Sequence, residues 1–154
     1  MKRKSKKQNV WRPRKRPSKK ILYSKDKLFG ATLAHLDLAW LNLQNAKLAK
    51  ANLSHTNLSN ANLIETDFTE VSDFTKANLS GANFDNAHLI DARLSGVDLW
   101  ETLHLRSEQV ESTETDQATQ LPPYLEINWK GKGEYEVKKM IEKKTKHKKT
   151  KKKP

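Results

Sequence analysis

The chain has 154 residues, with 30 Lys and Arg against 18 Asp and Glu, and only 35% of its residues are hydrophobic. That composition excludes a large conventional core, no run approaches the roughly 18 apolar residues of a membrane-spanning helix, and zero cysteines exclude disulfides, thiolate metal sites and a cysteine nucleophile. The net charge of +12 is a sum of unlike parts: residues 1–27 carry +12, residues 28–137 carry −9 and residues 138–154 carry +9.

The amino-terminal segment, MKRKSKKQNVWRPRKRPSKK, is basic, interrupted by Pro13 and Pro17, and almost free of apolar residues before Ile21. Self-repulsion and missing burial predict a disordered tail over 1–27. No apolar signal-peptide core follows the basic start, so a soluble, non-secreted protein is expected. Lys2, Arg3, Lys4, Lys6, Lys7, Arg12, Arg14, Lys15 and Arg16 surround Trp11. Cations around one aromatic fit a single-stranded nucleic acid, with phosphates neutralised and a base stacked.

From Leu28 onward a large apolar residue returns every fifth position, through Leu33, Leu38, Leu43, Leu48, Leu53, Leu58 and Leu63 to Phe68. One six-residue step, an insertion near Val71 to Asp73, leads to Phe74, and the count of five resumes to Leu99. Two places before each stands a second, usually small residue, such as Ala51, Ala61 or Ala82, and between the two is mostly Asn or Asp. Neither a helix nor a simple strand has this period. If each unit is a short extended edge and a bend, the large and small residues point the same way and both can face inward. Four edges close a coil of twenty residues, and coils stack at about 4.8 Å.

This A-(N/D)-L-x-x pattern, plain in ANLSHTNLSNANLIETDF, resembles the pentapeptide-repeat family over residues 28–103. The resemblance implies an all-β fold, a right-handed quadrilateral β-helix. Stacking then predicts inner columns: Leu38, Leu58, Leu79 and Leu99; Leu33, Leu53, Phe74 and Leu94; Leu43, Leu63 and Phe84; Leu48, Phe68 and Leu89. Leu36 and Leu41 replace the small residue in the first coil and are expected to plug its open end.

Residues 104–137 read as a carboxy-terminal cap. Ser107 and Glu108 open a short helix to about Glu111, and LPPYL forces an extended stretch because proline lacks the amide donor. In EINWKGKGEYEV, Ile127, Trp129, Tyr135 and Val137 share one face of an expected β-hairpin, a helical alternative for Tyr135 to Ile141 staying open. Its apolar face is expected to cover Leu99 and Leu103. The Lys-rich 138–154, including Lys148, Lys149, Lys151, Lys152 and Lys153, reads as a second tail.

Outside the core, His35 and His55 occupy equivalent corners, stacked about 4.8 Å apart. The next residue in that column is Lys76, so two solvated histidines are expected rather than a metal site. Lys47, Asp67 and His88 alternate charge in one column, a possible salt-bridge ladder worth at most about 1 kcal/mol. Asn42, Asn62 and Asn83 form a column whose amides can bond up the stack. Glu65, Asp67, Glu70, Asp85 and Asp91 read as a solvated acidic face, because a catalytic pair needs a cleft and contrasting environments. Trp40 and Trp100 point outward from the same face and form a candidate protein-interaction surface. No G-x-G-x-x-G, P-loop or Ser/His/Asp constellation appears.

The expected function is therefore non-catalytic, with no cofactor: an interaction or scaffold protein whose two tails bind nucleic acid or another polyanion nonspecifically. Anionic lipid is the nearest substitute ligand. One alternative follows from the resemblance, since some pentapeptide-repeat proteins mimic DNA and bind gyrase or other type II topoisomerases. Another is a purely structural solenoid with solubilising tails. Bacterial cytoplasm is the expected location, because the family is commonest in bacteria.

Overall fold

The structure, a computed structural model, describes residues 25–131 and 134–140. The tail residues 1–24 and 141–154 lie outside it, and with them every basic tail residue and Trp11 named above as polyanion contacts.

After a 3-10 turn at Lys25–Lys27, the chain repeats one local design. The large residue of each unit accepts a main-chain hydrogen bond from the amide three positions on, as in Leu36 N–H to Leu33 O at 3.2 Å and Ala82 N–H to Leu79 O at 2.9 Å. The third residue of these turns has positive φ, 62° at His35, 59° at Asn45 and 70° at Gly81, the Leu99–Thr102 turn with Glu101 in third place being an exception. A positive φ at this place alone is the mark of a type II turn, which favours Gly or Asn. His35, Trp40, Lys50 and Glu65 adopt it as well. Their amides recover energy by bonding to the next coil, as Trp40 N–H does to Ser59 O at 3.0 Å.

The Asn or Asp of each unit supports the same bend. Its Oδ1 accepts the amide two residues on, for example Asp37 from Ala39 at 3.2 Å and Asn52 from Ser54 at 3.0 Å. Short polar side chains bend the backbone in this way, which explains their place between the two inward residues.

Successive units form parallel bridges: Thr32 with Asn52, Asp37 with Asn57, Asn42 with Asn62, and Lys47 with Asp67. Each pair is twenty residues apart, so one coil takes four units and the body is a β-helical solenoid. The four bridges from Asn52 with Asp73 to Asp67 with His88 span an interval of twenty-one, and Asp73 with Arg93 returns to twenty. The extra residue sits in the turn, where Glu70 and Val71 both have positive φ, at 60° and 67°, and Val71 is exposed. The bulge leaves the ladder intact on either side.

The interior is one side chain wide. Leu38, Leu53, Leu58, Leu79 and Leu99 are each no more than 1% exposed, as are Phe68, Phe74 and Phe84. The Phe68 and Phe74 rings meet edge to face with centroids 4.9 Å apart, a favoured geometry. Alanines at 46, 51, 61, 82 and 92 fill the narrow places. Thr56, Thr66 and Ser72 are buried there too, and each hydroxyl donates to a carbonyl, Leu33 O at 3.1 Å, Leu43 O at 2.8 Å and Leu48 O at 2.9 Å. Leu36 and Leu41 are partly buried against the first coil.

Ladder pairs continue past residue 103: Asn83 with Leu103, Arg93 with Glu114 and Asp98 with Gln120. Helix α1, Ser107–Glu111, stands where the fourth side of that coil would be. Gln109 Nε2 donates to Phe84 O at 2.9 Å and Ala87 O at 2.8 Å, so the helix presents donors to carbonyls at the end of the stack. The residue preceding α1 is Arg106, whose guanidinium has no acceptor. Gln109 Oε1 accepts the Arg106 main-chain N–H at 2.8 Å, and Ser107 is the first helical residue.

Strand β1, Leu125–Gly131, pairs antiparallel with β2, Glu134–Lys139, with Ile127 opposite Val137 and Trp129 opposite Tyr135. Leu105, Val110, Leu125 and Val137 join the solenoid core. Leu103 does not. It remains 48% exposed, because it occupies the bridging position, whose side chain faces away from the interior.

Candidate interaction surfaces

The side chains that could carry function stand on the turns and on the bridging positions between them. His35 and His55 stack with ring centroids 4.6 Å apart and 16° between planes, as the corner register requires. Among the described residues no group of three His, Cys, Asp or Glu side chains is placed to hold a metal ion.

The bridging positions are hydrogen-bonded columns. Asn62 Nδ2 donates to Asn42 Oδ1 at 3.3 Å. A second column, not singled out from the sequence, links Asn57 Nδ2 to Asp37 Oδ1 at 3.0 Å and Asn78 Nδ2 to Asn57 Oδ1 at 3.2 Å. Lys47, Asp67 and His88 do share a column through their backbones, but ion pairs form elsewhere. Asp67 Oδ1 is engaged by the Thr69 amide at 3.0 Å and hydroxyl at 2.7 Å, which turns it toward its own bend.

Three ion pairs bring together residues from different coils, Lys50 with Glu70 at 2.8 Å, Arg93 with Glu114 at 3.1 Å and Arg106 with Asp85 at 3.2 Å, and two more join Glu136 to Lys130 and Lys138 within the hairpin. The six side chains of the three inter-coil pairs are well exposed, so each pair is worth at most about 1 kcal/mol. Of the expected acidic face, Glu70 and Asp85 are thus neutralised by cations, while Glu65 and Asp91 are exposed on turns.

Trp40 and Trp100 are 77% and 55% exposed. Both lie along the corner that follows the second side of each coil, held in register by Trp40 N–H to Ser59 O, Asn60 N–H to Ser80 O and Gly81 N–H to Glu101 O. Trp100, Asp98, Ser80 and Glu101 line a shallow groove there with Asn78 and Gln120. The Ser80 hydroxyl donates to Glu101 Oε2, and the Trp100 amide to Asp98 Oδ1 at 2.9 Å. A second groove runs between Leu103, α1 and the hairpin, beside Tyr124. Burial pushes the Tyr124 hydroxyl above its ordinary pKa, against the opposing effect of the Leu105 amide, which donates to it at 3.2 Å.

No described helix is long and apolar enough to cross a membrane.

These stacked five-residue units are those of a known class. The pentapeptide-repeat family model matches residues 37–72 and 70–102, with 8 copies. The chain belongs to the pentapeptide-repeat family through this body. Among solved structures, it is 40% identical to a pentapeptide-repeat protein of the cyanobacterium Cyanothece 51142, covering 60% of this chain and 62% of that one with a TM-score of 0.43. It is 19% identical to a pentapeptide-repeat protein of the Arabidopsis thaliana thylakoid lumen, covering 67% and 66% respectively with a TM-score of 0.53, a likeness of fold. The chain thus spans just under two thirds of the length of these two relatives. A likeness to QnrB1, a plasmid-mediated fluoroquinolone resistance protein, is 13% identical over 69% of this chain and 62% of that one, and its TM-score of 0.21 is too low to bear on function. Comparison with curated proteins gives no match.

Proposed function

We propose that this protein is a non-catalytic scaffold of the bacterial cytoplasm, whose basic tails bind nucleic acid or another polyanion without sequence preference. The β-helix over 28–103 is right-handed and quadrilateral, as the family resemblance implies, residues 104–137 cap it, and 1–27 and 138–154 are the binding segments. The observation that carries this reading is the charge partition: +12 and +9 at the two ends of a −9 body. Binding driven by such tails releases counterions and weakens steeply with salt. Trp11 supplies a stacking surface within the first tail.

The test is fluorescence anisotropy with labelled single-stranded RNA and DNA across a salt series. The full chain is expected to bind both at low salt, with log K falling linearly against log salt. A full-length variant with Lys and Arg changed to Gln at 2–16 and 148–153 is expected to lose most of the affinity and the slope. Equal binding by that variant would place the interaction on the body and overturn the proposal.

A further inference from the structure

We infer that the corner bearing Trp40 and Trp100 is a docking edge for the chain's own amino-terminal arginines, Arg12, Arg14 and Arg16. The second side of each coil and the corner after it comprise residues 37–40, 57–60, 78–81 and 98–101. They contain Asp37, Asp98 and Glu101 and no Lys, Arg or His. The other corners differ: one carries His35, His55 and Lys76, and the remaining two hold the Lys50–Glu70 and Arg106–Asp85 pairs. None of the five ion pairs among the described residues involves Asp37, Asp98 or Glu101. This edge is the acidic one left without cations.

Between the tryptophans the corner passes Ser59, Asn60, Ser80 and Gly81, all small or uncharged, so the two exposed indoles mark its two ends. They are three coil steps apart, about 14 Å at the inter-strand spacing. An extended chain covers the four residues from Arg12 to Arg16 in about 13 Å. A guanidinium stacks on an indole face and pairs with carboxylates through its fork of donors, which matches the side chains at both ends. Pro13 and Pro17 remove amide donors from the segment, which suits contact through side chains rather than through an added strand. The connection is also long enough: residue 16 lies nine residues before Lys25, about 30 Å of extended chain, and Trp40 belongs to the first coil.

The inference stands independently of nucleic-acid binding. Where both hold, a polyanion and the body compete for the same arginines, and the body sets a threshold for release of the tail.

The absence of cysteine allows one clean label. In the full chain carrying Ser18→Cys with a nitroxide, the indole N–H signals of Trp40 and Trp100 are expected to lose most of their intensity at low salt. They are expected to recover at high salt, in D98N/E101Q, and in R12Q/R14Q/R16Q. D98N keeps the oxygen that accepts the Trp100 amide and E101Q keeps an acceptor for Ser80, so both variants retain the turn. Undiminished signals in the labelled chain would overturn the proposal, as would a loss that either variant leaves unchanged. Mixing isotope-labelled chains without nitroxide with nitroxide-bearing chains separates the source: broadening in that mixture assigns the edge to a second copy and overturns docking within one chain.

Discussion

Asn57 bonds to Asp37 of the coil before it, Nδ2 to Oδ1 at 3.0 Å, while its own Oδ1 accepts both Asn78 Nδ2 from the coil after it at 3.2 Å and the Ser59 amide at 3.1 Å. One side chain thus fastens three coils and shapes its own turn. Asn57→Ala is expected to lower stability by about 1–3 kcal/mol, since the partners are left partly buried and unpaired. Asn57→Asp is expected to be worse at pH 7, because it removes the donor and sets a second carboxylate against Asp37. Denaturant unfolding of both variants checks the order.

Phe74 is fully buried against Phe68, and its ring is too large for the surrounding coils to close over once removed. Phe74→Ala is expected to cost about 3–5 kcal/mol. Because each coil rests on its neighbours, the unfolding transition should broaden as well as shift, which calorimetry would show.

Gly81 has φ of 70°, and a Cβ at this position would lie 2.4 Å from Asn60 Oδ1. Gly81→Ala therefore combines a strained backbone with a collision and is expected to destabilise by about 1–3 kcal/mol. Adding Asn60→Ala removes the collision but not the strain, so the double variant should recover part of the melting temperature. Full recovery would show that the backbone angle costs little here.

Asp116 closes the last described turn of the solenoid. Partial desolvation pushes its carboxyl up, but the amides of Gly96, Ala118 and Thr119, with the Thr119 hydroxyl, outweigh it and hold the pKa below the ordinary carboxylate value. A depressed folded-state pKa means that the stabilisation is present above the unfolded value, about 3.9, and is lost as pH falls through the folded one. Asp116→Ala is expected to melt lower than the natural chain at pH 7, with the gap narrowing below pH 4. A gap independent of pH would contradict the ionic character of these bonds.

The hairpin is tied to α1 and the residues just after it: the Tyr135 hydroxyl lies 2.7 Å from Thr113 O and 3.2 Å from Val110 O, and the Val137 amide donates to Glu111 Oε1 at 3.0 Å. Tyr135→Phe is expected to cost about 1 kcal/mol. Hydrogen exchange should quicken in β1 and β2 before it does in the coils.

The inner columns were legible because a period of five, with large and small residues two apart, leaves no competing regular structure, and all the leucines and phenylalanines so assigned are buried. The alternation around KGKG also points to a hairpin, with a helix from Tyr135 to Ile141 staying open, and β1 and β2 do pair antiparallel there. The continuation of the ladder to Glu114 and Gln120 was not read, because its intervals are twenty-one and twenty-two, and Thr115 replaces the large residue of one unit. Thr119-Gln120-Leu121 does keep the small, polar, large order, and was the available signal. The second amide column was missed for a simpler reason: its first member is Asp37, which hides a run of asparagines behind an acidic residue. Asp98 and Glu101 became notable only when the coils placed them beside Trp100, sixty residues from Trp40 in sequence but on the same corner.

The six-residue turn at Glu70 and Val71 shows how this body takes on length. One added residue loops outward at a corner, both turn residues adopt positive φ, and only the bridges that span it count twenty-one, while those before it count twenty and Asp73 with Arg93 after it counts twenty again. An insertion in a globular core must be refitted on every side, whereas here the growth is confined to one edge and later coils inherit only a change of numbering. The corners are thus the places where peptides can be grafted. An epitope or binding loop set between Glu70 and Val71 would be carried on a rigid stem, and loops added twenty residues apart would emerge in a vertical row about 5 Å from one another.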